Sequence, residues 1–302
     1  QTSVQSVIGT LSAGVEIQRL VKQGMAPSQA AIAYSPIGIQ RISLFNAATD
    51  YQQFLASTVI PALLHILAMV IGATTIGREL RDKQIGRWYD FIESGHPDLT
   101  NIEANIKNDI KNDNIIAAST SAADNKTSVI DSKPRKASIL VLLSGLLGKY
   151  FWPTLAYSLW SILALWLAAP QQAVAISSIM ATYVGLVLLM MLSFWLGAIF
   201  TLTSFSLRMG LSSTGFISAP SYAFAGVTFP YIAISDSAKH WSDALPLTHY
   251  LKLHIAQLQM QAPVAISLPI VYGLTLATVI AMFLAALLSH RALAHPDRWG
   301  AR

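Results

Sequence analysis

Apolar residues in this chain are gathered into long blocks that contain no formal charge. Such blocks run for 58 residues after Lys149, for 27 residues after Arg208 and for 37 residues from Leu253. About 20 consecutive apolar residues cross the hydrocarbon core of a bilayer as a helix. The pattern therefore predicts an all-α polytopic membrane protein, because a soluble domain of this size needs charge spread over its surface.

The blocks predict five transmembrane helices. These spans are residues 54–76, 151–169, 183–205, 211–229 and 267–289. The sequence begins with Gln1 rather than Met, and no signal peptide stands before the first span. We therefore expect the start of the gene product, with a further span, to lie upstream.

Three segments outside the spans have distinct patterns. Residues 1–53 combine helical periodicity over 1–24 with an extended piece near Ile37–Leu44, which predicts the tail of a mixed α/β extracytoplasmic domain. Residues 94–136 are rich in Asn, Asp, Ser and Lys, a composition typical of a flexible insertion, here cytoplasmic. Residues 230–266 carry many apolar side chains and predict short interfacial helices.

Positive charge gives the orientation. With residue 1 outside, the inner segments hold 15 of the 20 Lys and Arg residues, and cytoplasmic loops are the ones that carry this excess. The prediction is an outer N-terminus and a cytoplasmic C-terminus. The basic pI of about 9.4 then needs no nucleic acid to explain it, because the basic residues alternate with acids and lack an aromatic stacking array.

Candidate chemistry is sparse. The chain has no Cys and no G-x-x-x-x-G-K-[ST] phosphate loop, and the five spans contain no Asp, Glu, Lys or Arg. An ion-coupled secondary transporter usually needs ionisable groups in its spans, and a membrane-embedded enzyme needs clustered acids or metal ligands. Both alternatives are therefore less favoured, and we predict no catalytic or metal site.

Several stretches near the span ends resemble permease subunits of ABC-2 type transporters, in particular the bacterial multidrug and lipid exporter branch. They are Gly77–Asp82 (GRELRD) with Gln84–Trp88 (QIGRW), Leu146–Phe151 (LLGKYF), Ser218–Pro230 (SAPSYAFAGVTFP) and Leu245–Tyr250 (LPLTHY). The resemblance covers roughly residues 35–93 and 138–295. The long 94–136 insertion and the Gln84-Ile85 pair depart from that family's pattern.

The resemblance implies a six-span protein in the bacterial inner membrane whose first span is absent here. It implies ATP-driven export of a hydrophobic drug, lipid or polymer, with ATP and magnesium bound by a separate cytoplasmic ATP-binding subunit and no cofactor in this chain. A second permease subunit, the lipid bilayer and a periplasmic adaptor protein complete the expected partners, which include no nucleic acid.

The residues expected to couple to the ATPase are Arg78, Glu79, Arg81 and Asp82. The plainer interpretation is a solvated juxtamembrane face that satisfies the positive-inside rule. Glu79 is the strongest candidate, because that rule does not account for an acid.

A substrate path is the second expectation, through His65, Phe194 and Trp195. A neutral imidazole bonded to a neighbouring helix is the commoner role for a histidine in mid-span. Small residues on the fourth span predict close helix packing or a dimer seam, and they are Ser218, Ala219, Ser221, Ala223, Ala225 and Gly226.

Overall fold

The computed structural model describes residues 14–26, 29, 51–94, 137–168, 173–227 and 235–300. The chain divides into two compact units, Gln1–Ser43 and Leu44–Arg302. The described part of the first unit is a helix over 14–22, which agrees with the helical periodicity there. The rest of the expected α/β domain and nearly all of the 94–136 insertion lie outside the described residues.

The second unit consists of helices wherever it is described. They are α1 (Tyr51–Arg81), α2 (Ile85–Ser94), α3 (Ile139–Ala168), α4 (Ile176–Ser204), α5 (Leu207–Phe224), α6 (Asp236–Ala244), α7 (Pro246–His254) and α8 (Val264–Ala294). A π-helical turn, Ile255–Gln259, continues α7, and a 3₁₀ turn, Pro296–Arg298, follows α8. No strand occurs among the described residues.

Four of these helices are long and apolar enough to cross a membrane, which indicates a membrane protein whose described secondary structure is all helical. They are α1 from Leu55, α3, α4 and α8. Helix α3 begins at Ile139, twelve residues before the predicted span. The prediction was limited to the block without formal charge, whereas the helix also includes Lys149, which pairs with Glu79.

The fourth predicted span, 211–229, coincides largely with α5, which is not among these four helices. Its 18 residues include several Ser, Thr and Gly, which lower its hydropathy. Helix α5 nevertheless runs alongside α1 in the opposite direction. Leu207 packs on Gly77, and the Tyr222 hydroxyl lies 3.1 Å from the Thr58 hydroxyl. Those two positions on α1 are about 28 Å apart at 1.5 Å per residue.

Helices α1 and α4 run parallel and form the centre of the bundle. They touch through glycine: a Cβ added at Gly72 would overlap the carbonyl of Phe194, and one at Gly197 would overlap that of Met69. Small residues let membrane helices approach until their backbones are in contact. This contact fixes the axis on which the other helices pack.

The bundle has two ends of different charge. One end, here the basic end, is formed by Arg81, the α4–α5 turn at Phe205–Ser206, and the 3₁₀ turn. Its Lys and Arg residues are Arg78, Arg81, Lys83, Arg87, Lys149, Arg208, Arg291 and Arg298, against Lys239 and Lys252 among the described residues of the opposite end.

The opposite end is closed by the short helices that the apolar pattern of 230–266 predicts. Helices α6 and α7 lie there, followed by the π-helical turn. The Gln257 amide donates to the Ser267 hydroxyl on α8 (2.7 Å), and the Gln259 amide donates to the Ser57 hydroxyl on α1 (3.2 Å). The turn therefore ties the beginnings of two long helices together.

Candidate functional site

The basic end carries an elbow, defined as residues Arg78–Ser94, in which α1 ends and α2 begins. Lys83 adopts a positive φ of 56°, and the Gln84 N–H donates to the Glu79 carbonyl (2.8 Å), so the chain turns within three residues. Helix α2 is amphipathic, with Ile85 and Tyr89 buried. A turn this short leaves α2 little freedom to move apart from α1.

An ion pair holds the elbow to α3. The Lys149 ammonium lies 2.5 Å from a carboxylate oxygen of Glu79 and 4.9 Å from the centre of the Trp88 ring. Both charged side chains are about one fifth exposed. Lys149 therefore connects α1, α2 and α3 through a charge pair and a cation–π contact, and the predicted coupling residue Glu79 points into the bundle end.

Tyr89 makes a second connection between α2 and α3. Its hydroxyl accepts the Ser138 N–H (3.1 Å) at the start of α3 and donates to the Glu93 carboxylate (3.2 Å). Burial of the ring raises the pKa of Tyr89. Beside it, Ile92 and Trp88 pack closely on Gly145, where an added Cβ would require the Ile92 side chain to shift.

The other predicted coupling residues face outward. Arg81 donates two hydrogen bonds to Asp82, at 2.8 and 3.1 Å, and this bonding lowers the pKa of the Asp82 carboxyl. Arg78 is exposed, as is Arg87 on α2. Phe91 is 53% exposed beside them. The sequence did not single out Phe91, although an aromatic side chain on the polar face of an amphipathic helix is a usable signal.

His65 of the predicted substrate path is buried between α1 and α4. Its Nδ1 lies 2.6 Å from the Ser193 hydroxyl, which itself donates to the Leu189 carbonyl (2.6 Å). Because a hydroxyl has one hydrogen, the Ser193 oxygen accepts the Nδ1–H of a neutral imidazole. The Nε2 atom is buried and has no partner among the described residues.

Replacing His65 with leucine should leave the fold intact or stabilise it slightly. Ser193 keeps its bond to Leu189, and an apolar side chain removes the unpartnered Nε2, a defect that costs about 1–3 kcal/mol. Thermal unfolding in detergent would measure this. If transport falls while stability holds, His65 serves the substrate path; a large loss of stability would contradict the bonding described here.

Phe194 and Trp195 are fully buried in an aromatic cluster. The Tyr150 ring stacks 6.0 Å from Phe194 and meets Trp195 edge-on at 4.9 Å, while Tyr157 lies 5.3 Å from Phe194. The cluster joins α3 to α4. In this state the two residues pack the bundle core, and their role in a substrate path stays a prediction.

The small residues predicted for packing lie on or just after α5, and they fall into a buried group and an exposed group. Ser218, Ser221 and Ala225 are buried in the bundle, whereas Ala219 and Ala223 are exposed. Gly226 follows the helix with a φ of 78°. Packing within the chain accounts for the buried group, and the dimer seam expected for the set as a whole stays a prediction.

Histidines do not converge on a metal site in the described part of the chain, where no group of three or more potential ligands occurs. His249 Nε2 lies 2.8 Å from the Asp243 carbonyl, and His254 Nδ1 lies 3.1 Å from the Tyr250 hydroxyl. Burial lowers the pKa of His254 to about 4. A neutral, buried imidazole there has a packing role.

Comparison with protein-family models, with curated protein sequences and with solved structures gave no match. Function is therefore inferred from the chain's own residues and geometry.

Proposed function

We propose that this chain is the membrane-spanning permease subunit of an ATP-driven ABC-2 type exporter in the bacterial inner membrane. The observation that carries the proposal is the elbow: a charged, amphipathic helix held rigidly at the end of a membrane helix, with Arg87 and Phe91 exposed. A separate ATP-binding subunit would dock on this face. A second permease subunit, and a periplasmic adaptor protein, would complete the assembly.

The proposal includes five membrane crossings, with α5 as the fourth. The course of α5 alongside α1 supports this, since its 18 residues extend about 27 Å and the hydrocarbon core is about 30 Å thick. In membrane proteins, the ends and loops that carry an excess of Lys and Arg face the cytoplasm. The basic end is then cytoplasmic, which places the elbow on the side where ATP is available.

Movement would pass from the elbow to the bundle through fixed contacts. A rigid-body shift of α2 displaces α1 through their three-residue turn and α3 through Lys149 and Tyr89. Tyr150 then carries the displacement of α3 to α4. ATP binding would act by favouring one arrangement of these helices over the other. A ligand shifts the equilibrium between two conformations only if its affinity for them differs.

The substrate class follows from the interior. The blocks without formal charge extend through α4 and most of α8, so a charged solute would lose hydration without a compensating partner. A hydrophobic drug, a lipid or a polymer fits this interior. ATP and magnesium would be bound by the partner, because this chain has no phosphate loop.

Docking is tested by co-purification with candidate ATP-binding subunits. The double variant Arg87→Glu/Phe91→Ser alters only the exposed face of the elbow and should abolish co-purification. The matched control is Lys239→Glu/Trp241→Ser at the opposite end, where Trp241 is 56% exposed, and it should bind normally. If neither the unaltered chain nor the control ever binds an ATP-binding subunit, the proposed function is wrong.

Coupling is tested separately through the Glu79–Lys149 pair. Glu79→Gln weakens a charge-assisted bond worth about 1.5–3 kcal/mol, so docking should persist while substrate-stimulated ATP hydrolysis falls by about tenfold or more. The exchange Glu79→Lys/Lys149→Glu restores the ion pair in reverse but not the cation–π contact with Trp88, and should recover activity well above that of Glu79→Gln. If the exchanged variant stays inactive, Glu79 acts on the partner directly rather than through α3.

A further inference from the structure

Two arginines converge on one aromatic ring at the basic end. The guanidinium carbon of Arg291, in the last turn of α8, lies 5.2 Å from the centre of the Phe205 ring, and that of Arg298 lies 5.9 Å from the same centre. Phe205 itself is buried and adopts a positive φ of 54° at the end of α4. Both arginines are exposed.

The chain after α8 is folded so that it holds Arg298 in this place. The Trp299 indole N–H donates to the Ala292 carbonyl (2.6 Å), and the Gly300 N–H donates to the Phe205 carbonyl (3.2 Å). Trp299 is 4% exposed. These bonds return the chain from α8 to the α4–α5 turn, and the 3₁₀ turn brings Arg298 to the ring that Arg291 also contacts.

The two positive charges lack a compensating acid. No carboxylate in the described part of the chain forms an ion pair with either arginine, and the neighbouring Asp297 is exposed without pairing to Arg298. Since both lie near one ring centre, their guanidinium carbons are no more than about 11 Å apart. An anion bound at this place would compensate positive charge that the described carboxylates do not.

The position of Arg291 along α8 gives the depth of this pair. Exposed apolar side chains follow one face of the helix, with Ile280 57%, Leu284 42% and Leu287 50% exposed, and Arg291 continues that face one turn further on. Four residues advance a helix by about 6 Å. Arg291 therefore lies where the lipid-facing surface gives way to the headgroup layer.

We propose that Arg291 and Arg298, supported by Phe205, bind the phosphate of an anionic phospholipid headgroup. The planar guanidinium group matches phosphate with paired hydrogen bonds. Bulk lipid is present at this depth at high local concentration, whereas a soluble phosphate is not. The site needs only that α8 crosses a bilayer, so it stands or falls independently of the transport function proposed above.

The test uses the full chain in nanodiscs of phosphatidylcholine with and without phosphatidylglycerol, with bound lipid counted by native mass spectrometry. The unaltered chain should retain phosphatidylglycerol in preference to phosphatidylcholine. A charge-assisted hydrogen bond to phosphate contributes about tenfold or more to binding, so Arg291→Gln or Arg298→Gln should reduce the preference by about tenfold and the double variant by about a hundredfold.

The controls remove the same charge elsewhere. Arg87→Gln at the basic end and Lys239→Gln at the opposite end should keep the full preference. The proposal is wrong if the double arginine variant keeps it, or if Arg87→Gln loses it equally, since general charge would then be responsible. Glycerol 3-phosphate, added in solution, should not displace the lipid; displacement at comparable concentration would show a site for free phosphate instead.

Discussion

Replacing Gly72 with leucine should force α1 away from α4 and destabilise the bundle more than any single change on its surface. The Cβ alone would overlap the backbone carbonyl of Phe194, and backbone in a helix cannot turn aside as a flexible side chain can. Overpacking of this kind costs about 3 kcal/mol or more. Gly197→Leu should act alike, because its Cβ overlaps the Met69 carbonyl.

The matched control for these changes is Gly273→Leu. Gly273 lies within the membrane helix α8 and has no atom within 4 Å of an added Cβ. The same substitution there should not lower stability and should raise it by up to about 1 kcal/mol, because leucine favours a helix interior more than glycine does. Thermal unfolding followed by size-exclusion chromatography in detergent measures all three variants. Equal unfolding temperatures for Gly72→Leu and Gly273→Leu would contradict the close contact of α1 with α4.

Tyr150→Ala should produce the second large loss. This ring is 2% exposed, packs against Phe194 and Trp195, and its hydroxyl donates to the Gly72 carbonyl (2.9 Å). Truncating a buried aromatic side chain costs about 3–5 kcal/mol. Tyr150→Phe keeps the packing and loses only the hydrogen bond, at about 1 kcal/mol.

A residue two positions away serves as the control for Tyr150. Trp152 is on the same helix and is 71% exposed, so Trp152→Ala removes a larger side chain without opening an internal cavity. Denaturant titration should rank the variants Trp152→Ala, Tyr150→Phe and Tyr150→Ala in order of increasing loss. A Tyr150→Ala variant as stable as Trp152→Ala would show that the aromatic cluster does not hold α3 to α4.

The long helices were predictable because a bilayer imposes a length and a composition that single sequences display. Four of the five predicted spans coincide with helices able to cross a membrane. The predicted second span begins twelve residues after the start of α3, because Lys149 ends the block without formal charge and its partner Glu79 is 70 residues away in the sequence. Whether α5 crosses the membrane was harder to predict, because its small polar residues, several of which are buried in the bundle, lower its mean hydropathy.

The candidate sites were predictable only as single residues. Glu79 was selected because an acid is unexpected among inner basic residues, but nothing in one sequence pairs it with Lys149. Likewise, the cluster at Phe205 depends on a chain reversal after α8 that places Arg298 beside Arg291. Contacts between distant segments depend on how the helices pack. A periodic pattern shows which side of a helix is apolar, but it does not show which helix packs against that side.

The contact between Tyr89 and Ser138 has a consequence for how this protein can vary. It holds α2, which ends at Ser94, against the start of α3 at Ser138 and Ile139. The span that a connecting chain must bridge is thus independent of how many residues connect it, and the entropy of closing a loop grows only by about 0.6 kcal/mol per doubling of length. Sequence can therefore be added or removed at this point during evolution while the membrane helices keep their arrangement.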